Sequence, residues 1–166
     1  MEIRPACVDD AFAVETIRVT AWRTAYRHVL PPDELDRLPI DPGRWADRFD
    51  QPPPGWATLV AADAGEVTGF AAVGPSRDER RIGELYALYV APAAWSQGVG
   101  RSLIAAAEAE LARTYDVATL WVLTLNPRAR RFYSLAGWHP DGATQVQNRL
   151  GVPAEEMRYR KQLRPY

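Results

Sequence analysis

Apolar residues recur at helical spacing through residues 9–28, where Val14, Ile17, Ala21 and Ala25 share one face. This spacing predicts a helix with one buried side, entered at Asp9, a residue type suited to capping. A short strand at residues 2–4 precedes it, and residues 33–38 and 44–49 read as short helical pieces. Residues 56–62 and 67–73 read as strands joined by a turn at 63–66, an antiparallel hairpin. Residues 85–90 are apolar on both faces, as a central strand requires. A helix over residues 98–113 follows, with Val99, Leu103, Ile104, Ala107 and Leu111 on one side. Residues 119–125 form another strand apolar on both faces. A short helix at 127–135 is capped by Asn126 and closed by Gly137. Residues 138–146 and 155–163 supply the last two strands.

The order strand-helix-strand-helix over residues 85–135 implies a right-handed parallel crossover. With hairpins on either side of it, the expected class is α/β (α+β), a mixed sheet with helices on both faces. Pro52, Pro53 and Pro54 lack the donors of a central strand and mark a loop. Pro31 and Pro32, and the polar run 75–81, mark others. No repeat or linker divides the chain, so one domain over residues 1–166 is expected, with enough length to bury its own core.

Composition changes this picture little. The chain is 47% hydrophobic, 25% charged and 10% aromatic, values ordinary for a globular domain. A net charge of -1 gives no electrostatic footprint for nucleic acid. Only Lys161 among the basic residues is a lysine, which reads as coding preference. The lone Cys7 excludes an internal disulfide framework and suits a reducing compartment. With no leader and no long apolar run, a soluble, cytoplasmic protein without a membrane partner is expected.

Candidate chemistry begins where the central strand runs into Gly98-Val99-Gly100 at a helix start. The first turn of a helix carries unpaired N–H groups and a positive dipole end. Glycines there let a phosphate approach closely, although a loop glycine pair without a ligand would look the same. The dinucleotide fingerprint fails, because Leu103 stands at its third glycine, and no Lys-Ser or Lys-Thr pair completes a Walker loop. Nothing in the chain predicts a metal site.

Further along, Asn126, Ala129, Phe132, Tyr133, Gly137 and Trp138 occupy an N-x-x-A-x-x-F-Y-x-x-x-G-[FW] pattern. Together with the glycine loop, this run resembles the GNAT superfamily of N-acetyltransferases, and the element order is similar over essentially the whole chain. One departure is Trp95, at a loop position that the family commonly fills with Gln or Arg; Gln97 directly precedes the first glycine.

The resemblance implies a sheet of six to seven strands splayed between the fourth and fifth, with acetyl-CoA (coenzyme A) bound in the splay. Leu88, Tyr89 and Val90 would meet the pantetheine arm, and a main-chain N–H near Leu88 or Tyr89 would polarise the thioester. The N–H groups of Gln97, Gly98, Val99, Gly100, Arg101 and Ser102 would take the pyrophosphate, with help from the Arg101 side chain. Asn126 would hydrogen-bond the arm from the facing strand. Tyr133 would protonate the leaving thiolate, or else simply pack beside Phe132. An amine of pKa ~10.4 is protonated at neutral pH, so a proton acceptor is needed. Glu84 is the candidate base, or else a solvated strand-end carboxylate.

On the acceptor side, Trp22, Tyr26, Tyr86 and the acidic group Asp33, Glu34 and Asp36 are candidates to line the entrance. Aromatic and acidic groups suit a cationic amine. A buried helix face explains Trp22 equally, and a solvated turn explains the carboxylates. The loop at 75–81, with Arg77, Arg80 and Arg81, reads as a flap or as a charged turn. The leading expectation is transfer of acetyl to a small-molecule amine. The alternatives are acetylation of a protein N-terminus or lysine, and a non-catalytic acyl-CoA sensor module. Pairing of relatives through their C-terminal strands favours a homodimer.

Overall fold

Strands with two apolar faces need cover on both sides, and the computed structural model, which describes residues 1–164, provides it. Seven strands form one sheet: β1 (Glu2–Pro5), β2 (Ala57–Asp63), β3 (Glu66–Pro75), β4 (Gly83–Val90), β5 (Val117–Leu123), β6 (His139–Arg149) and β7 (Val152–Gln162). Their order is β1-β2-β3-β4-β5-β7-β6, antiparallel throughout except for the β4–β5 pair. The helices are α1 (Ala11–Ala25), α2 (Pro32–Asp36), α3 (Gly43–Asp50), α4 (Val99–Ala112) and α5 (Pro127–Leu135). No described helix is long and apolar enough to cross a membrane.

Alternate residues of β3 divide the core. Ala71 and Val73 pack with Val99, Leu103, Ile104, Ala107 and Leu111 of α4, as the helical periodicity requires. Phe70 and Ala72 face the other way, onto Val14 and Ile17 of α1 and Trp45 of α3. At Gly69 a Cβ would lie 2.9 Å from both Leu103 Cδ1 and the Tyr89 carbonyl oxygen, so glycine here lets α4 sit close on the sheet.

The element boundaries differ from the sequence reading where polar groups act at a distance. The first helix is entered through a 3-10 turn at Val8–Asp10 and stops at Ala25, not His28. Asp9 does not cap it. The Asp10 carboxylate instead accepts from the Cys7 N–H at 2.8 Å and from both Arg4 terminal nitrogens at 2.7 and 2.8 Å. The last hairpin is longer than its apolar residues suggest, running to Arg149 and restarting at Val152 around Leu150 and Gly151, both at positive φ.

The Arg4 hydrogen bonds lead the causes that lower the Asp10 carboxyl from its ordinary 3.8 to about 2. A folded-state value below the unfolded one contributes stability above pH ~4, which is lost as the pH falls toward 2. Asp10→Asn is therefore expected to lower stability at pH 7 and to flatten its decline between pH 4 and 2. Urea midpoints across that range measure this, and parallel curves for the two proteins would refute it.

Candidate active site

β4 and β5 are hydrogen-bonded in parallel only at Gly83–Ala118 and Glu84–Thr119, and then diverge. On its other edge β4 stays paired with β3 as far as Val90, and β5 with β7 as far as Leu123. Two unpaired strand edges therefore face each other across the splay. Such edges are a template for another extended chain. A bulge in β4 at Tyr86 accompanies the divergence, since Leu85 pairs with Val73 and Ala87 with Ala72. The splay opens into a cleft of about 1070 Å³.

Leu88, Tyr89, Val90, Gly98, Gly100, Arg101, Asn126 and Tyr133 all line this cleft. Gly98 caps α4 at φ +86, a conformation natural to glycine, and open space lies where its Cβ would be. Among the described residues, the N–H groups of Gln97 through Arg101 donate to no protein acceptor. They stand at the cationic end of a fourteen-residue helix, and Gly98, Gly100 and Arg101 among them line the cleft.

One N–H of the expected set is already spent, and the Gln97 and Val99 side chains turn away from the free ones. The Ser102 N–H already donates to the Gly98 carbonyl at 3.0 Å, so it is not free for a phosphate. The Val99 side chain is buried in the core. The Gln97 side chain is exposed and donates back to the Ala93 carbonyl at 2.8 Å. Trp95 has contacts of its own. Its indole N–H donates to the Val90 carbonyl at 2.8 Å, and its ring lies 3.6 Å from the guanidinium carbon of Arg128. Arg128 and Arg101 are both exposed at this end of the cleft.

In the middle of the cleft, Asn126 is buried and its side-chain oxygen accepts from the Ala129 N–H at 3.1 Å, capping α5. The side-chain NH₂ has no protein acceptor among the described residues. Tyr133 stands next to Phe132, with ring centroids 5.4 Å apart. Burial, and then the neighbouring Tyr89, push its hydroxyl well above the usual tyrosine range. That hydroxyl makes no hydrogen bond to another described residue. Across the cleft, Trp22 donates to the Tyr89 hydroxyl at 2.9 Å and packs edge-on against Tyr26 at 5.3 Å. Burial likewise raises Tyr26, followed by the influence of Tyr89.

Glu84 requires correction. It is 0% exposed, not solvated, and it does not line the cleft. One carboxylate oxygen accepts from the Arg77 backbone N–H at 2.9 Å, and the other accepts from two nitrogens of the Arg77 guanidinium. A carboxylate held in this way has no route to an incoming amine, so it is not placed as a base. Its work is to anchor the 75–81 loop. That loop is also tied by Trp121 donating to Asp78 at 2.6 Å and by Glu79 pairing with Arg158 and Arg160, so it is a braced turn and not a flap.

The acidic entrance is corrected too. Glu34 is exposed and pairs at 3.0 Å with Arg37, the residue that ends its helix, and Asp36 pairs with Arg27 at 2.7 Å. Neither these two nor Asp33 lines the cleft, because α2 turns only Leu35 inward. Trp22, Tyr26 and Tyr86 do line it. Tyr86 is also stacked on Trp56 at 4.2 Å, and its hydroxyl donates to the Pro75 carbonyl, which holds its ring at the wall.

The sequence reading missed the wall opposite α1. Gln145, Gln147 and Arg149 alternate along β6 toward the cleft, and Glu156 of β7 joins them. The period-two spacing was visible, but the strand was expected to stop at 146 because its polar residues carry no hydrophobic signal.

The same arrangement recurs in known proteins. The acetyltransferase (GNAT) family is matched over residues 17–138. An uncharacterized N-acetyltransferase of Bacillus subtilis, YuaI, is 34% identical over 131 residues, covering 75% of this chain and 73% of that one. Among solved structures, YncA from Salmonella typhimurium with its cofactor acetyl-CoA superposes with a TM-score of 0.78 at 23% identity. That match covers 100% of this chain and 95% of YncA. The PaiA N-acetyltransferase from Thermoplasma acidophilum in complex with coenzyme A superposes with a TM-score of 0.74 at 18% identity, covering 97% and 98%. The splayed sheet, the glycine-capped helix and the Asn126–Trp138 run thus stand in a chain whose matched region spans most of its length, and this protein belongs to the GNAT acetyltransferase family.

Proposed function

We propose that the protein transfers an acetyl group from acetyl-CoA to the primary amine of a small molecule. The observation that carries this reading is the pair of facing, unpaired strand edges beside the free N–H groups of Gln97–Arg101. The residues present fit the donor. The edges of β4 and β5 accept an extended arm, the N–H groups with Arg101 and Arg128 suit phosphates, and the volume of about 1070 Å³ accommodates a long ligand. When bound, acetyl-CoA supplies an acetyl group as a thioester, whose carbonyl carbon an amine attacks as the carbon–sulfur bond breaks.

A main-chain N–H near Leu88 or Tyr89 polarises the carbonyl, a type of contact worth ~3–4 kcal/mol in the transition state. Tyr133, kept protonated by its surroundings, donates its hydroxyl proton to the departing sulfur and recovers one from solvent. The carboxylates at the cleft are already engaged, Asp78 by Trp121 and Glu156 by Gln145 and Arg149. The amine therefore gives up its proton to water at the open mouth, and turnover should rise with pH toward the acceptor's own pKa. Aromatic walls at Trp22, Tyr26 and Tyr89 favour a small acceptor over a folded protein surface.

Acetyl-CoA should raise the melting point where NAD and ATP do not, since a ligand of the native state stabilises it. Thiol release with a panel of amines then reads turnover. No stabilisation by acetyl-CoA refutes donor binding, and stabilisation with no thiol release from any amine favours a sensor. Gly98→Ala places a Cβ on a positive-φ residue at ~1–2 kcal/mol and crowds the phosphate approach. The concentration of acetyl-CoA for half saturation should rise about tenfold, measured by titration; an unchanged value removes Gly98 from the binding site.

A further inference from the structure

The acceptor half of the cleft contains a cation that acetyl transfer by itself does not use. Arg149 ends β6, the edge strand of the sheet, on the face that also presents Gln145 and Gln147. Its Nη2 donates to Glu156 Oε1 at 2.7 Å, and Gln145 Nε2 donates to Glu156 Oε2 at 2.8 Å. The Glu156 side chain is only 7% exposed, so it is a fixed anchor, whereas the Arg149 side chain is 38% exposed. A guanidinium has five N–H donors. Among the described residues Arg149 spends one, on Glu156. Its guanidinium lies 5.9 Å from the Trp22 ring centroid, and its charge acts on the Tyr26 hydroxyl, on which Tyr133 also acts.

An arginine held in one orientation by a buried carboxylate, with most of its donors unspent, is suited to a planar oxyanion. The expectation of an acidic entrance for a cationic amine fails here, because Asp33, Glu34 and Asp36 do not line the cleft. An acceptor with a second positive charge would instead meet Arg149. An acceptor with a carboxylate near its amine would be oriented, with its acid on Arg149 and its amine turned toward the Tyr133 side of the cleft.

We propose that the acceptor is an amino acid or a close derivative, its carboxylate held by Arg149. This rests on the acetyl-transfer reading for the reaction, but not for the binding. Phosphonate shares the chemistry, and aminophosphonates form a separate arm of the test.

The experiment measures thiol release from acetyl-CoA for the protein amino acids, for their carboxamides, for the matching amines without the acid, and for aminophosphonates. The wild type should prefer the carboxylates over their carboxamides by about 10- to 100-fold in kcat/KM, the range expected for a charged hydrogen bond. In Arg149→Gln that preference should collapse toward unity, chiefly through KM, and Arg149→Lys should restore part of it. A preference for the aminophosphonates that Arg149→Gln also removes keeps the site and changes the anion. The paired variant Arg149→Gln, Glu156→Gln avoids a buried unpaired carboxylate and should show the same loss. Equal use of acids and carboxamides by the wild type, or an unchanged preference in both variants, overturns the proposal. Amino-acid stabilisation of the coenzyme A-loaded protein is read in parallel by melting point. If that stabilisation vanishes in the variants while no amine releases thiol, the carboxylate site stands and the transfer reading falls. If acetyl-CoA supports transfer but no carboxylate preference exists, the reverse holds.

Discussion

Replacing Tyr133 by phenylalanine is expected to lower kcat at least 100-fold while leaving the melting-point rise given by acetyl-CoA in place. The prediction follows from what the substitution keeps and removes. The ring still packs against Phe132 at 5.4 Å and Tyr159 at 6.4 Å, so the wall of the cleft keeps its shape. Only the hydroxyl is lost, and no described residue bonds to it, so no partner is left stranded. Burial holds that hydroxyl above the usual tyrosine range, which keeps its proton in place for a departing sulfur. A positioned acid of this kind contributes about 10²–10⁴ in rate. Because the folded value lies above 10, ionisation of Tyr133 should produce no alkaline loss of kcat below about pH 10. A kcat within twofold of wild type would mean that Tyr133 only packs, and that the thiolate leaves without an acid.

The second large effect concerns stability. Glu15 is 0% exposed on α1, among apolar residues, and its carboxylate is fully engaged. Arg18 donates to its two oxygens at 2.8 and 2.7 Å, the Trp45 indole N–H donates at 2.8 Å, and Arg44 lies 3.6 Å away. Glu15→Ala deletes the centre of this cluster and leaves the Arg18 guanidinium, 11% exposed, beside a hole. Breaking a buried pair from one side costs about 3–5 kcal/mol, and for a chain of this size the melting point should fall by roughly 10 °C. Glu15→Gln keeps an acceptor for Trp45 and should lose less. Burial pushes this carboxyl upward, but Arg18, Trp45 and Arg44 together outweigh it and hold the group below its ordinary value. Its contribution is therefore present above the unfolded pKa and is lost as the pH falls through the lower folded one. The gap between wild type and Glu15→Ala should narrow in acid, as measured by urea unfolding at pH 7 and pH 3. A cost under 1 kcal/mol at pH 7 would show that the two helices hold together without this cluster.

How far the sequence reached depended on how local each interaction is. The β4 and β5 strands, the α4 stripe and the α5 caps were legible because their signals lie within a few residues. Asn126 caps α5 through a residue three positions on, and Gly137 closes it at φ +84. Asp9 has the side chain of a cap, but the carboxylate that the structure engages is that of Asp10, through Arg4 of the neighbouring β1 strand. The acidic group at 33–36 looked like an entrance because composition says nothing about which way a short helix turns.

By itself, then, the order of apolar and polar positions determined the strand and helix sequence, the glycine-capped helix start and the motif that carries the family. Those features depend on backbone geometry and on contacts between near neighbours. Only the tertiary structure decided which charges meet. Glu84 was engaged by Arg77, Glu15 was sealed between two helices, and Arg149 was brought to the cleft wall from the far edge of the sheet. Each of these depends on pairing between groups distant in the chain, where long side chains reach whichever partner the packed core places beside them.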